Sequence, residues 1–72
     1  MENSKFQLQA GDKILRLSGV IELTGLSRST IYSYMGEGKF PMPVSLGQRS
    51  VGWLYSSIAE WIEERVAKSQ YE

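Results

Sequence analysis

Apolar residues recur along this chain with two different periods, and the switches between them mark its elements. Ile31, Tyr34 and Met35 fall at i, i+3 and i+4, the spacing of one helical face. They predict a helix from about residue 28 to residue 37. Ile58, Trp61, Ile62 and Val66 repeat that spacing and predict a last helix, with Glu60, Glu63, Glu64 and Lys68 turned to water. Between these two the period drops to two. Val44 and Leu46 flank Ser45, and Val51, Trp53 and Tyr55 alternate with Gly52 and Leu54, so two strands are expected. Upstream, Leu15 and Leu17 lead into a short first helix that takes its apolar content from Val20, Ile21 and Leu23.

Polar and turn-forming residues set the boundaries. Ser18 is the expected N-cap of the first helix, with Leu17 as the hydrophobic residue before the cap. Gly25 ends that helix, because glycine enters the left-handed region without a Cβ penalty. Leu26 anchors the turn, and Ser27 offers an oxygen to the free amides of the helix that starts at Arg28. Gly38 closes this second helix, while Gly36 weakens its last turn. Each proline of Phe40-Pro41-Met42-Pro43 restricts itself and its predecessor, so this stretch is not helical. Gly47-Gln48-Arg49-Ser50 turns the chain between the strands. Ser56 or Ser57 caps the final helix, and Ser57 with Glu60 has the spacing of a capping box. Residues 1–12 are mostly polar with little periodicity and read as a loose, flexible arm ahead of one domain at 13–70. Helix, turn, helix, two-stranded ribbon, helix is the order of a small winged helix-turn-helix domain, mainly α with a small β-ribbon.

Composition narrows the chemistry. With 72 residues and no cysteine or histidine, the core must come from aliphatics and aromatics, since neither disulfides nor a structural zinc site can be built. The same absence removes the usual general base, the thiol nucleophile and the soft metal ligands. No enzyme, cofactor or metal is expected. No apolar run matches a signal peptide or a membrane span of about 20 residues, which points to the cytoplasm. Net charge is zero, at odds with the usual basic balance of nucleic-acid binders. Its distribution is uneven, however. Residues 13–49 hold five bases against two acids, whereas residues 50–72 hold four acids against two bases. A basic middle and an acidic last helix predict one face for DNA and another for solvent or a partner.

The candidate site is the start of the second helix. Recognition helices enter the major groove with their N-terminal residues against the base edges, and here those residues are Arg28, Ser29 and Thr30. A cation at a helix N-terminus opposes the macrodipole and is better placed if a phosphate or guanine lies opposite. Ser27 and Thr30 can alternatively bond locally as a cap. Tyr34 belongs to the core. Lys39, just past the helix, suits a backbone phosphate, and Arg49 in the strand turn suits a phosphate or a narrow minor groove. Trp53 and Trp61 could stack on bases, but their periodicity assigns them to the core. The glycines at 36, 38 and 47 lack the strand-loop-helix context of a phosphate-cradling loop.

The stretch ILRLSGVIELTGLSRSTIYSYMGEGKFPMPVSLGQRSVGW, followed by SSIAEWI, resembles the AlpA-like prophage regulators, within the wider excisionase-like and MerR-like winged-helix group. TGLSRSTIY, GKFPMPV and RSVGW at these distances are more specific together than any one of them. The resemblance implies sequence-specific binding of double-stranded DNA in the gene control of a prophage or integrative element. It assigns the major-groove surface to Ser27, Arg28, Ser29, Thr30, Tyr32 and Ser33, followed by Lys39, with Arg49 at the tip of the wing formed by residues 47–50. Leu54 after the wing tryptophan, and Ser33 and Gly36 on the exposed side of the helix, depart from the longer polar or basic side chains common in relatives. They imply weaker binding by a lone monomer, and hence self-association or cooperative binding at repeated sites, or else an apolar spot for a partner. Two other functions fit the same residues: an excisionase that bends DNA, and a protein-interaction module that has given up DNA.

Overall fold

The computed structural model describes residues 11–70; all but the end of the expected arm lies outside them. The elements are β1 (Ile14–Leu15), α1 (Leu17–Thr24), α2 (Arg28–Gly36), β2 (Val44–Gly47), β3 (Ser50–Leu54) and α3 (Tyr55–Ser69). This is the predicted winged helix-turn-helix with one addition. The ribbon β2–β3 gains a third strand, β1, and the sheet order is β1-β3-β2. Ile14 pairs with Leu54 and Leu15 with Trp53, both antiparallel. Leu15, expected to lead into the first helix, does so as the last residue of a strand. Two residues carry too little pattern for a strand to be visible in sequence, and only β3 makes them one.

The middle strand is built around Gly52. A Cβ there would run into the Ile14 side chain and would lie 3.1 Å from both the Leu15 carbonyl and a Leu46 methyl. Glycine lets the two flanking strands close over the centre of the sheet. On the opposite face Trp53 is fully buried, with Val20, Ile31, Phe40 and Ile58 completing the core. Leu15, Leu17, Ile21, Leu26, Tyr34, Met35, Trp61 and Ile62 pack around it. Complete burial of one such aliphatic side chain is worth about 1.5–3 kcal/mol. One assignment from periodicity changes. Val66, placed on the inner face of α3, is half exposed, because that helix runs past the end of the core; Leu23 is similarly open on the last turn of α1. Phe40 is core despite its place in a proline-rich loop.

Two of the expected caps are replaced. α1 begins at Leu17 after Arg16, with no side-chain cap, so Ser18 lies within the helix. α3 begins at Tyr55 after Leu54, and neither Ser56 nor Ser57 caps it. Its free amides are met from the other end of the domain. Tyr55 N–H donates to the Lys13 carbonyl at 2.8 Å. Ser56 N–H donates to Asp12 Oδ1 at 3.0 Å, and Ser56 Oγ to Asp12 Oδ2 at 2.9 Å. The Asp12 carboxylate satisfies the Ser56 amide and counters the positive end of the macrodipole. Asp12, read as the end of the arm, is thus fixed to α3. Gly25 does end α1 as expected, at φ 75°, with its N–H on the Ile21 carbonyl at 2.8 Å.

Candidate nucleic-acid interface

The turn between α1 and α2 is held by local hydrogen bonds. Thr24 Oγ1 donates to the Val20 carbonyl at 2.8 Å and accepts from Leu26 N–H at 3.2 Å. Leu26 then packs against the core, and Ser27 caps α2 by accepting from Thr30 N–H at 3.2 Å. The Ser27 hydroxyl also donates to Thr30 Oγ1 at 3.0 Å. Both side chains are therefore engaged in the cap. Ile31 is fully buried one residue later, so the orientation of α2 about its own axis is fixed. Arg28, Ser29, Tyr32 and Ser33 are all exposed on the side away from Ile31, Tyr34 and Met35. Residues 28, 29, 32 and 33 are neighbours at i, i+3 and i+4, so they make one polar surface. Among the described residues no acidic side chain pairs with Arg28.

The segment after α2 is fixed by two indoles. Lys39 N–H donates to the Tyr34 carbonyl at 2.8 Å, and the Lys39 carbonyl accepts from Trp61 Nε1 at 2.8 Å. Trp53 Nε1 donates to the Pro41 carbonyl at 3.0 Å. Phe40 meets Trp61 edge-on, with ring centroids 4.8 Å apart and planes at 64°. The Arg65 guanidinium covers Trp61 from outside, 4.6 Å from its centroid. The tryptophans are thus core and loop clamps with their indole N–H groups occupied. The Lys39 side chain itself is exposed and lies 3.4 Å from Glu37, a weak surface pair.

At the far end of the ribbon, Gly47 pairs with Ser50, so Gln48 and Arg49 form the tip. The pairing shifts between Ser45 and Gly47, an irregularity of the bulge type. Arg49 sits at φ 61°, left-handed for a residue with a side chain. Such a backbone costs roughly 1 kcal/mol or more and marks a position worth asking about. Gln48 is exposed beside it and adds an amide to the tip. Of the candidate residues, the structure thus groups Arg28, Ser29, Tyr32 and Ser33 on one helix face, engages Ser27 and Thr30 in the cap that starts it, and sets Lys39 and Arg49 on separate loops. A groove between residues 38–41 and α3 carries Glu60 and Glu64 as well as Lys39, Arg65 and Lys68, a balance with no clear preference for an anion. Among the described residues no group of three or more potential metal ligands comes together, and no helix is long and apolar enough to cross a membrane.

The family described as "Prophage CP4-57 regulatory protein (AlpA)" matches residues 13–66, from β1 to the exposed part of α3. The chain belongs to the AlpA family of prophage regulatory proteins. It is 41% identical over 59 residues to the DNA-binding transcriptional activator AlpA of Escherichia coli (strain K12), covering 74% of this chain and 84% of that one. It is 46% identical over 56 residues to the uncharacterized protein ORF88 of Enterobacteria phage P4, covering 78% of this chain but 64% of ORF88. The family match over residues 13–66 includes the capped turn, α2 and the ribbon, the parts that set out the polar surface described above.

Proposed function

We propose that this AlpA-family protein is a sequence-specific regulator of transcription that binds duplex DNA with α2 in the major groove and the β2–β3 tip on flanking DNA. The observation that carries this reading is the start of α2. Ser27 closes the cap, Ile31 fixes the helix orientation, and Arg28 stands exposed where the macrodipole disfavours a cation. Guanine presents O6 and N7 in the major groove, and an arginine fork matches both, with about 1–3 kcal/mol of discrimination per such pair. Arg28 is the base-reading residue in this scheme. Ser29, Thr30, Tyr32 and Ser33 reach phosphates or base edges; Ser27 acts by holding the helix start. Lys39 and Arg49 neutralise phosphates on either side. The likeness to the E. coli relative, a DNA-binding transcriptional activator, favours a regulator over an excisionase or a module without DNA.

The contact surface is small for one copy, so cooperative occupation of repeated sites is part of the proposal. The test is selection of bound duplexes from a random library at low salt, with Arg28→Ala in parallel. Enrichment of a short motif by the native protein, with relaxed preference in the variant, is the expected result. Two inert proteins at low salt would sink the proposal and move attention to protein partners.

A further inference from the structure

The outward face of the sheet is apolar, although nothing in DNA binding by α2 asks for it. Trp53 points into the core from β3, so Gly52 and Leu54 point the other way, and the pairing brings Ile14 beside Leu54 and Val44 beside Gly52. The Ile14 and Leu46 side chains converge over Gly52. Ile14, Val44, Leu46 and Leu54 thus form one uncharged surface, with Val44 37% and Leu46 45% exposed. The outward face of a small antiparallel sheet is ordinarily polar. None of the four belongs to the core cluster or to the hydrophobic residues packed against it.

We propose that this face receives the same face of a second copy, and that two copies stack through it when they occupy adjacent inverted half-sites on DNA. This rests on the reading of α2 as the recognition helix and names the contact behind cooperative binding. The chemistry of the face selects the occupant. Without a charge it offers a charged partner nothing to pair with, whereas across a two-fold axis it is complementary to itself. Its size excludes a permanent dimer. Four partly exposed side chains offer on the order of 200–300 Å² per copy, against about 800 Å² per partner in a stable interface. A contact of that size forms where DNA already holds two copies side by side, at an effective concentration in the millimolar range. Its direction fits as well. Ile31 of α2 shares the core with Trp53, so α2 lies on the inner side of the sheet and stays clear of the contact. Two stacked sheets, about 10 Å apart, leave both copies of α2 on the outside of the pair. With the two-fold axis along the ribbons, both Gln48–Arg49 tips point to the same duplex, between the two recognition helices.

The test compares duplexes bearing one half-site, two inverted half-sites or two direct half-sites of the selected motif, the pairs at a series of spacings, by gel shift with the full chain. Filling of the inverted pair at its best spacing should be tighter than two independent sites by roughly 5- to 150-fold. Val44→Ser and Leu46→Ser should each bring that factor toward one and leave single-half-site affinity unchanged. If Leu46→Ser loses single-site binding by unfolding, Val44→Ser decides, because the Val44 side chain does not lie over Gly52. Independent filling of the inverted pair by the native protein overturns the proposal. So does cooperativity that survives the substitutions, or that appears on direct repeats alone. Single-site binding without cooperativity leaves the reading of α2 intact. If no duplex is bound, that reading fails, and the free protein decides the sheet contact. Its Val44 and Leu46 methyl signals should then move between micromolar and millimolar concentration while those of Val20 and Ile58 stay; unmoved signals overturn it.

Discussion

Gly52 and Arg49 show how single backbone positions decide the ribbon. Adding one methyl at residue 52 sets it against Ile14, the Leu15 carbonyl and Leu46, and the carbonyl can yield only if the β1–β3 pairing opens. Gly52→Ala is therefore expected to destabilise the fold by about 1–3 kcal/mol, the usual range for overpacking. Urea titration followed by tryptophan fluorescence would report it, and an unchanged midpoint would show that β1 is loosely held. Arg49 presents the reverse case. Its φ of 61° suits glycine better than arginine. Arg49→Gly relieves this strain, offset in part by the greater freedom of glycine in the unfolded chain. The expected result is unchanged stability or a gain of up to about 1 kcal/mol, together with weaker DNA binding. A residue that costs stability where it stands, and whose removal weakens binding, is retained for contact. A clear loss of stability would instead make Arg49 a structural residue.

The elements differ in how far they can be read from their own residues. α2 is legible because its determinants are local: Gly25 ends the helix before it, Ser27 caps it, and Ile31, Tyr34 and Met35 mark its inner face. The polar surface of the candidate site follows from that same spacing. β1 and the start of α3 are not legible, since each depends on residues some 40 positions away. Ser56 and Ser57 look like caps in sequence, yet the carboxylate that serves α3 is Asp12, 44 residues earlier. Phe40 is hidden for a similar reason, as its burial depends on Trp61 of another element. The Asp12 cap has a pH signature. Desolvation pushes its carboxyl up, but the hydrogen bonds from Ser56 Oγ, Ser56 N–H and Lys13 N–H outweigh it and hold the pKa below the usual 3.8. A lowered folded pKa gives stability that is present above the unfolded value and is lost as pH falls through the folded one. Asp12→Asn should lower the thermal midpoint at neutral pH, and the gap to the native protein should close below about pH 4. Parallel melting curves that keep a constant gap down to pH 2 would show that the charge at residue 12 contributes nothing.

At the scale of the whole molecule, zero net charge at first sight argues against a polyanion as partner. Long-range attraction depends on total charge, but the salt dependence of a bound complex counts only the cations that displace counterions from phosphates. The exposed cations on the proposed binding elements are Arg28, Lys39 and Arg49, with Arg16 and Lys13 nearby in sequence on the basic part of the chain. Glu60, Glu63 and Glu64 lie on α3 instead. If three to five of these cations meet phosphates, the logarithm of the affinity should fall against that of salt with a slope of about −3 to −4.5. The basic residues should then divide by role. Lys39→Ala and Arg49→Ala should each reduce the slope by about 0.9 and weaken binding to all duplexes alike. Arg28→Ala should reduce preference among duplexes more than it changes the slope, because its proposed contact is a base. Fluorescence anisotropy from low to moderate salt, with a selected duplex and a scrambled one, separates these behaviours. A slope near zero would remove these cations, and with them the proposed contact by α2 and the ribbon tip, from the phosphates of the duplex.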